Sequence, residues 1–336
     1  MIDIIMINLQ AFANLNVNAT VASGSMGAIN SETGTYANPN TNLSAEMKTF
    51  YDMTLLDEAA PQLVYNQFGQ KRPIPKNGGK TIEFRKFSAL PKATTPIQEG
   101  ITPDGGNLTV TKIEATVEQY GYYIVQSDVL ELTSLDNTII EATKLLGKQA
   151  GVTLDTITRD ILMAEATNFS YAGGGTSANG NITVADVARV VAKLRAKNAP
   201  TINGDYVAII HPYVAHDLMR DPEWIDAHKY AQPENLYSGE IGKVAGVRFV
   251  QTSEAKIKAG GVFQCLFLGE GAYGVTEITG GGLQTIVKQK GSAGTADPLD
   301  QRSSIGWKAI TTAEILLPEY LIVYECKSSF GDVPAN

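Results

Sequence analysis

With 336 residues, 43% hydrophobic and 18% charged, the chain has material for one large core or two modest ones and the content of an ordinary soluble globular protein. A formal net charge of −8, with no cluster of Lys and Arg, excludes a surface built to wrap nucleic acid, which needs concentrated positive charge against phosphates. No run approaches the roughly 18 uninterrupted apolar residues that cross a bilayer, so no membrane partner is expected.

The first segment, Met1-Ile2-Asp3-Ile4-Ile5-Met6-Ile7, is apolar, yet Asp3 is its only charge and the first basic residue is Lys48, so the positive start of a secretory signal is missing. Met1 and Met6 are both open as the start. From Asn8 to Asn42 the chain is rich in Asn, Thr, Ser, Ala and Gly, and lacks the apolar periodicity for a core of its own. It reads either as a disordered tail or as an arm that orders across neighbouring subunits. Ser44 then opens a helix through Glu46, Met47, Phe50, Tyr51, Leu55 and Ala59, which Pro61 ends or kinks.

Lys80 to Tyr123 reads as two long strands that leave the body and return. The outgoing arm, Thr81-Ile82-Glu83-Phe84-Arg85-Lys86-Phe87, alternates in side-chain character with a period of two. The return arm runs from Leu108 through Ile113, Ala115 and Val117 to Val125. Between them lies a segment with Pro91, Pro96, Gly100, Pro103, Gly105 and Gly106, far longer than the 2–5 residues or so that usually close a hairpin. Such a loop finds little to pack on in its own subunit, which marks it as an arm for a neighbouring copy. Its charged residues Glu83, Arg85, Lys86, Lys92 and Glu99 are the candidate inter-subunit contacts.

From Asp136 to Ala166, positions Ile139, Ala142, Leu146, Ala150, Leu154, Ile157, Ile161 and Ala164 mark one buried helical stripe. Unbroken, a helix of about 31 residues spans roughly 46 Å. Gly147 and Gly151 each weaken it by about 1 kcal/mol relative to Ala, and two shorter helices divided near Gly151 are the alternative. Tyr171 to Gly180 is glycine-rich and marks a domain boundary. Beyond it, Thr183 caps a helix bearing Val187, Val190, Val191 and Leu194, and Asn203-Gly204 turns into a buried strand Tyr206–Ile210. A short helix from Pro212 to Met219, strands at Val247–Val250 and Val262–Leu268, and strand-like runs to Val287 complete an α/β region. The segment Ile305 to Tyr324 is expected to return to the sheet beside the long helix.

Chemical motifs are few. Gly269-Glu270-Gly271-Ala272-Tyr273-Gly274 matches G-x-G-x-x-G after a strand, but Val275 to Thr279 alternates like a strand where a helix N-terminus should receive a pyrophosphate. A glycine-rich hairpin turn is expected instead. His211, His216 and His228 lack the spacing of a zinc helix, and Asp217 and Asp221 read as helix-surface residues. Cys265 and Cys326 lie in apolar runs without metal spacing; buried free thiols are expected, with a disulfide as the alternative. No nucleophile elbow or P-loop is present, so no catalytic, cofactor-binding or metal residue is assigned and no enzyme is expected.

The order of parts, with Gly79-Lys80-Thr81-Ile82-Glu83-Phe84, Gln119-Tyr120-Gly121 and Ser127-Asp128, and Ile210-His211-Pro212, resembles the major capsid proteins of tailed bacteriophages. Gly239-Glu240-Ile241-Gly242 leading to Gly246-Val247-Arg248-Phe249, then Asp297-Pro298, Gln301-Arg302 and Gly306-Trp307-Lys308, add to the likeness, which looks like a podovirus-type branch from about Met6 to Tyr324. The resemblance implies an α+β, HK97-like fold. Its expected divisions are an N-terminal arm (1–43), an arm helix and lead-in (44–75), an extended hairpin loop (76–117), and a peripheral domain with a spine helix (118–172). An axial domain (173–304) and C-terminal strands returning to the peripheral domain (305–336) complete it. It further implies pentamers and hexamers in an icosahedral shell around double-stranded DNA, held without sequence-specific contacts. The short arm points to a separate scaffolding protein; a portal and decoration proteins are further partners, with assembly in the host cytoplasm. Two alternatives come from other classes: a cellular nanocompartment shell, and a nucleotide-cofactor enzyme using Gly269–Gly274.

Overall fold

The computed structural model describes residues 45–59, 62–87, 105–134, 138–231, 242–292, 297–331 and 333–336, with single positions between 90 and 100. The expected arm at 1–43 and the expected helix start at Asp136 lie outside the described residues.

Helix α1 (Ala45–Ala59) leads through a 3-10 turn (Tyr65–Gln67) to the short strand β1 (Gln70–Lys71). Strands β2 (Thr81–Phe87) and β3 (Val110–Thr116) form the hairpin, and β4 (Glu118–Ser127) carries the return arm onward. Helix α2 (Asp128–Thr133), not expected from the sequence, is capped by Ser127 Oγ, which accepts from the Leu130 amide. Next come α3 (Thr138–Glu165), β5 (Phe169–Tyr171), α4 (Val184–Ala196), β6 (Tyr206–Ile210), α5 (Pro212–Met219) and α6 (Pro222–Ala231). Strands β7 (Lys243–Val244), β8 (Val247–Gln251), β9 (Ile257–Lys258) and β10 (Val262–Leu268) follow. The chain ends with β11 (Tyr273–Glu277), β12 (Gln284–Lys288), β13 (Arg302–Ile315) and β14 (Leu321–Cys326).

Helix α3 is one unbroken spine of 28 residues, about 42 Å long at 1.5 Å per residue. Its glycines serve a neighbour rather than a bend. A Cβ at Gly147 would stand 2.8 Å from the Leu55 carbonyl oxygen, and one at Gly151 2.5 Å from that of Ala59. The two glycines therefore let α1 lie against the spine, where Tyr51, Leu55 and Ala59 bury one face of α1. The predicted stripe holds through Leu146, Ala150 and Leu154, but near the end Leu162 and Met163 are buried and Ala164 is exposed. The buried face has drifted there because it meets a different partner, the second sheet.

The two main sheets divide the body. In the five-stranded sheet, β13 pairs antiparallel with β4 along one side, from Arg302↔Ser127 to Thr311↔Glu118, and with β12 and β11 along the other. The spine lies on this sheet, with Leu146, Ala150 and Leu154 against Ile305, Trp307 and Ala309. The seven-stranded sheet has the order β5-β14-β10-β6-β8-β7, with β9 on β10. One of its faces carries Val187, Val190 and Leu194 of α4. The other meets Leu162 and Met163 at the end of the spine. Strands covered on both faces read as continuous apolar runs, which is why β6 and β14 are buried along their whole length.

One expectation needs correction. Strand β14, expected beside the spine with the rest of 305–336, sits in the seven-stranded sheet between β5 and β10. Its burial on both faces requires a central position there. Conversely, β11 and β12, within 173–304, pair with β13 in the spine's sheet. The two sheets thus exchange strands rather than dividing the chain at a single point.

Candidate assembly interface

The motifs with chemical potential resolve into structure. Strand β10 runs into Gly269, whose amide donates to the Tyr320 carbonyl at 2.9 Å, while the Glu270 amide donates to that of Pro200 at 2.9 Å. Both donors are therefore engaged, and β11 follows where a phosphate-binding helix would have to begin. The expected hairpin turn is also corrected: β10 and β11 belong to different sheets, so Gly269–Ala272 carries the chain between them, turning at Gly271 with φ +70°.

His211 caps α5, its Nδ1 accepting from the Tyr213 amide at 3.1 Å, and burial pushes its pKa down. Asp217, expected at a helix surface, is buried and accepts from the Ser329 amide at 2.8 Å and from the Ser329 hydroxyl. Burial alone would raise its pKa, but these hydrogen bonds from Ser329 hold it below the ordinary carboxylate value. Asp221 is half-buried and accepts from the Val184 amide at 2.8 Å, tying α4 to the start of α6. Both aspartates are structural ties, because helix periodicity does not reveal the loops that cover a face. The side chain of His228 lies outside the described residues. Among the described residues, no three His, Cys, Asp or Glu side chains converge as metal ligands. Cys265 and Cys326 are free and buried on the neighbouring strands β10 and β14. A hydrogen bond with Cys265, together with burial, pushes the Cys326 thiol well up.

The hairpin is the exposed element with the most to offer a partner. Its register runs from Thr81↔Thr116 to Phe87↔Val110. One face therefore carries Glu83, Arg85 and Phe87 with Glu114, Lys112 and Val110; the other carries Ile82, Phe84 and Lys86 with Ala115, Ile113 and Thr111. Direct pairing sets Glu83 opposite Glu114 and Arg85 opposite Lys112, both unfavourable, and the diagonal relieves it. Lys112 Nζ lies 2.7 Å from Glu83 and 3.5 Å from Glu114. The hydrogen bond from Lys112 lowers the Glu83 pKa, and the same bond raises that of Lys112.

Among the candidate contacts, Glu83 is thus paired within its own hairpin. Arg85 shares its exposed face, Lys86 is half-buried on the other face, and Lys92 and Glu99 are exposed further along. Sequence reading missed Lys112; the alternation in Val110-Thr111-Lys112-Ile113-Glu114 was the available signal, but only the register puts it beside Glu83.

The hairpin is anchored at its root. Phe84 and Ala115 are buried, and a Cβ at Gly274 would be 3.2 Å from the Phe84 ring. The Arg72 guanidinium lies 5.8 Å from the centre of that ring. Beyond the root, Phe87, Leu90, Leu108 and Val110 are exposed.

Comparison with known proteins accords with this architecture. A family model described as phage capsid protein matches residues 110–321. The capsid structure of cyanophage P-SCSP1u is similar at 13% identity, covering 90% of this chain and 98% of that chain with a TM-score of 0.62. The capsid asymmetric unit of cyanophage Pam1 matches at 13% identity over 92% of this chain and 100% of that chain, with a TM-score of 0.61. The capsid of Ralstonia phage GP4 matches at 14% identity over 81% of this chain and 90% of that chain, with a TM-score of 0.60. At these identities the structural likeness establishes the α+β, HK97-like fold. No curated protein matches the chain by sequence.

Proposed function

The chain belongs to the phage capsid protein family, and from that premise we propose that its copies assemble as pentamers and hexamers into an icosahedral shell enclosing double-stranded DNA. It is a structural major capsid protein, so its function resides in surfaces rather than in a pocket. Support for the proposal comes chiefly from the hairpin, whose strands of seven residues reach about 23 Å. Such an arm carries exposed apolar side chains away from the body in which it is anchored.

In this reading the loop at 76–117 lies over an adjacent subunit and the arm at 1–43 crosses between subunits. The spine and the five-stranded sheet form the peripheral domain, while the seven-stranded sheet and its helices form an axial domain whose loops face the five- or six-fold axis. A net charge of −8 keeps an inner wall from adhering to packaged DNA, which favours both filling and ejection. A separate scaffolding protein guides assembly in the host cytoplasm, with a portal at one vertex and decoration proteins as further partners.

Sedimentation velocity over a concentration series, with electron microscopy of each fast fraction, tests the proposal. Closed shells, or rings of five or six, are expected. A protein that stays monomeric at every concentration, with its scaffolding protein co-expressed, overturns it.

A further inference from the structure

We infer that the face of the five-stranded sheet turned away from the spine takes an extended segment of a different protein, in which one aromatic side chain has a carboxylate two residues to either side; this role is separate from the shell reading above and independent of it. Ile305, Trp307 and Ala309 of β13 are buried against the spine, so Ser304, Gly306 and Lys308 point the other way. Register puts Tyr123 of β4 and Ile286 of β12 on either side of Gly306, and Gly121 beside Lys308. A Cβ at Gly306 would stand 2.7 Å from the Tyr122 carbonyl oxygen, and one at Gly121 2.7 Å from that of Trp307. Both positions therefore stay bare. They floor a slot of about 260 Å³ walled by Tyr123 and Ile286, which are 68% and 36% exposed. That volume is below the roughly 300 Å³ at which small-molecule sites begin. It suits one planar side chain lying on bare backbone against a tyrosine ring.

Charge selects what stands beside that ring. The chain carries 35 Asp and Glu, yet the positions that register turns to this face within 119–125, 284–288 and 304–310 include none. Their permanent charges are Lys288 and Lys308, neither paired with a carboxylate among the described residues. Lys288 lies opposite Ser304, so the two lysines bracket Gly306 at one outward step on each side, about 7 Å along the strand. An extended peptide repeats its side chains at the same spacing. Acid-x-aromatic-x-acid therefore sets the ring in the slot and a carboxylate at each lysine.

This sequence supplies no such segment. Acids four residues apart flank only Thr116, between Glu114 and Glu118, and Met219, between Asp217 and Asp221. The occupant is therefore not another copy. Two other exposed apolar surfaces lack the selectivity. The far side of α1, with Phe50, Met53 and Leu56, is flanked by Asp52 and Asp57, and α2 exposes Val129, Leu130 and Leu132 beside Asp128. Both are convex helix surfaces with acid beside their apolar groups, so neither attracts a carboxylate.

The test is fluorescence anisotropy of a labelled peptide, Gly-Glu-Ser-Trp-Ser-Glu-Gly, titrated with the full-length unassembled protein. Saturable binding is expected, roughly tenfold or more tighter than that of the isomer Gly-Glu-Glu-Ser-Trp-Ser-Gly, whose acids lie on one side of the ring. Tyr123→Ala should weaken binding roughly tenfold or more. Lys288→Glu with Lys308→Glu should abolish it and take up Gly-Lys-Ser-Trp-Ser-Lys-Gly instead. The comparison of isomers uses the native protein alone, so it decides even where a variant fails to fold. No binding, no preference between the isomers, or equal binding to the native and charge-reversed proteins overturns the inference. Displacement of the peptide by a lower concentration of a short DNA duplex gives the face to nucleic acid. Loss of self-association in the charge-reversed variant, with no peptide bound by the native protein, gives it to a second copy. Either result also overturns the inference, while the shell reading stands or falls on sedimentation alone.

Discussion

Gly147 and Gly151 separate two effects that a helix propensity scale merges. Replacing Gly151 by Ala favours the spine helix by about 1 kcal/mol, yet the new Cβ would meet the Ala59 carbonyl oxygen at 2.5 Å, a backbone atom that moves only if α1 moves. Overpacking of this kind costs about 1–3 kcal/mol. Gly151→Ala is therefore expected to destabilise the protein by about 1–2 kcal/mol in urea unfolding, with faster amide exchange in α1 while the seven-stranded sheet is unchanged. Asp155 on the same helix has a different sensitivity. Its Oδ1 accepts from the Tyr65 amide at 2.7 Å, while Oδ2 has no hydrogen-bond partner among the described residues. Burial drives its carboxyl up to about 7 against the pull of the Tyr65, Asn66 and Val64 amides and of Arg159. A raised carboxylate pKa means that the folded chain holds the proton more tightly than the unfolded chain. Stability is then greatest below the ordinary carboxylate range and falls as pH rises through about 7. Glu314, driven up to about 6 by burial and then by Glu165, adds a loss of the same sign. Asp155→Asn should flatten the fall in unfolding free energy between about pH 5 and pH 7 by at most about 1.4 kcal/mol per pH unit. An unaltered slope would exclude Asp155 as its source.

Among the elements, the hairpin depends on one ring. Phe84 is 3% exposed and fills the space over Gly274, so Phe84→Ala removes the wedge between hairpin and body at a cost of about 3–5 kcal/mol. Limited proteolysis should then cut between residues 84 and 113 many times faster, with the seven-stranded sheet still resistant. Equal protection in the variant would show that the root is held elsewhere. This element was legible in the sequence because alternation and the long proline-rich interval are local signals. Strands β6 and β10 were legible as short continuous apolar runs bounded by turn residues. Helix α2 was not, its six residues being too few to establish a period. The exchange of β11, β12 and β14 between sheets was hidden for another reason: a strand's pattern tells how many of its faces are covered, not which sheet covers them. The interface was readable to the same depth. Glu83 and Arg85 showed a charged face, but Lys112 joined it only through register. The far side of α1 was present as Phe50 in the helix pattern, where it merged with the buried stripe one residue away.

For the whole molecule, two electrostatic effects oppose each other in a shell. Every subunit carries −8, so neighbours repel across their whole surfaces, whereas ion pairs that the hairpin's charged residues form across the proposed contact attract at short range. Salt separates them, because the Debye length falls from about 30 Å at 0.01 M to about 8 Å at 0.15 M. Over that range the long-range repulsion is largely screened, while pairs within a few ångströms and partly covered by apolar side chains keep most of their attraction. Assembled shells should therefore resist urea better at about 0.15 M salt than at about 0.01 M, as read by light scattering. Shells that instead weaken steadily as salt rises from the lowest concentration would show that local ion pairs, not the shared negative charge, dominate the balance between subunits.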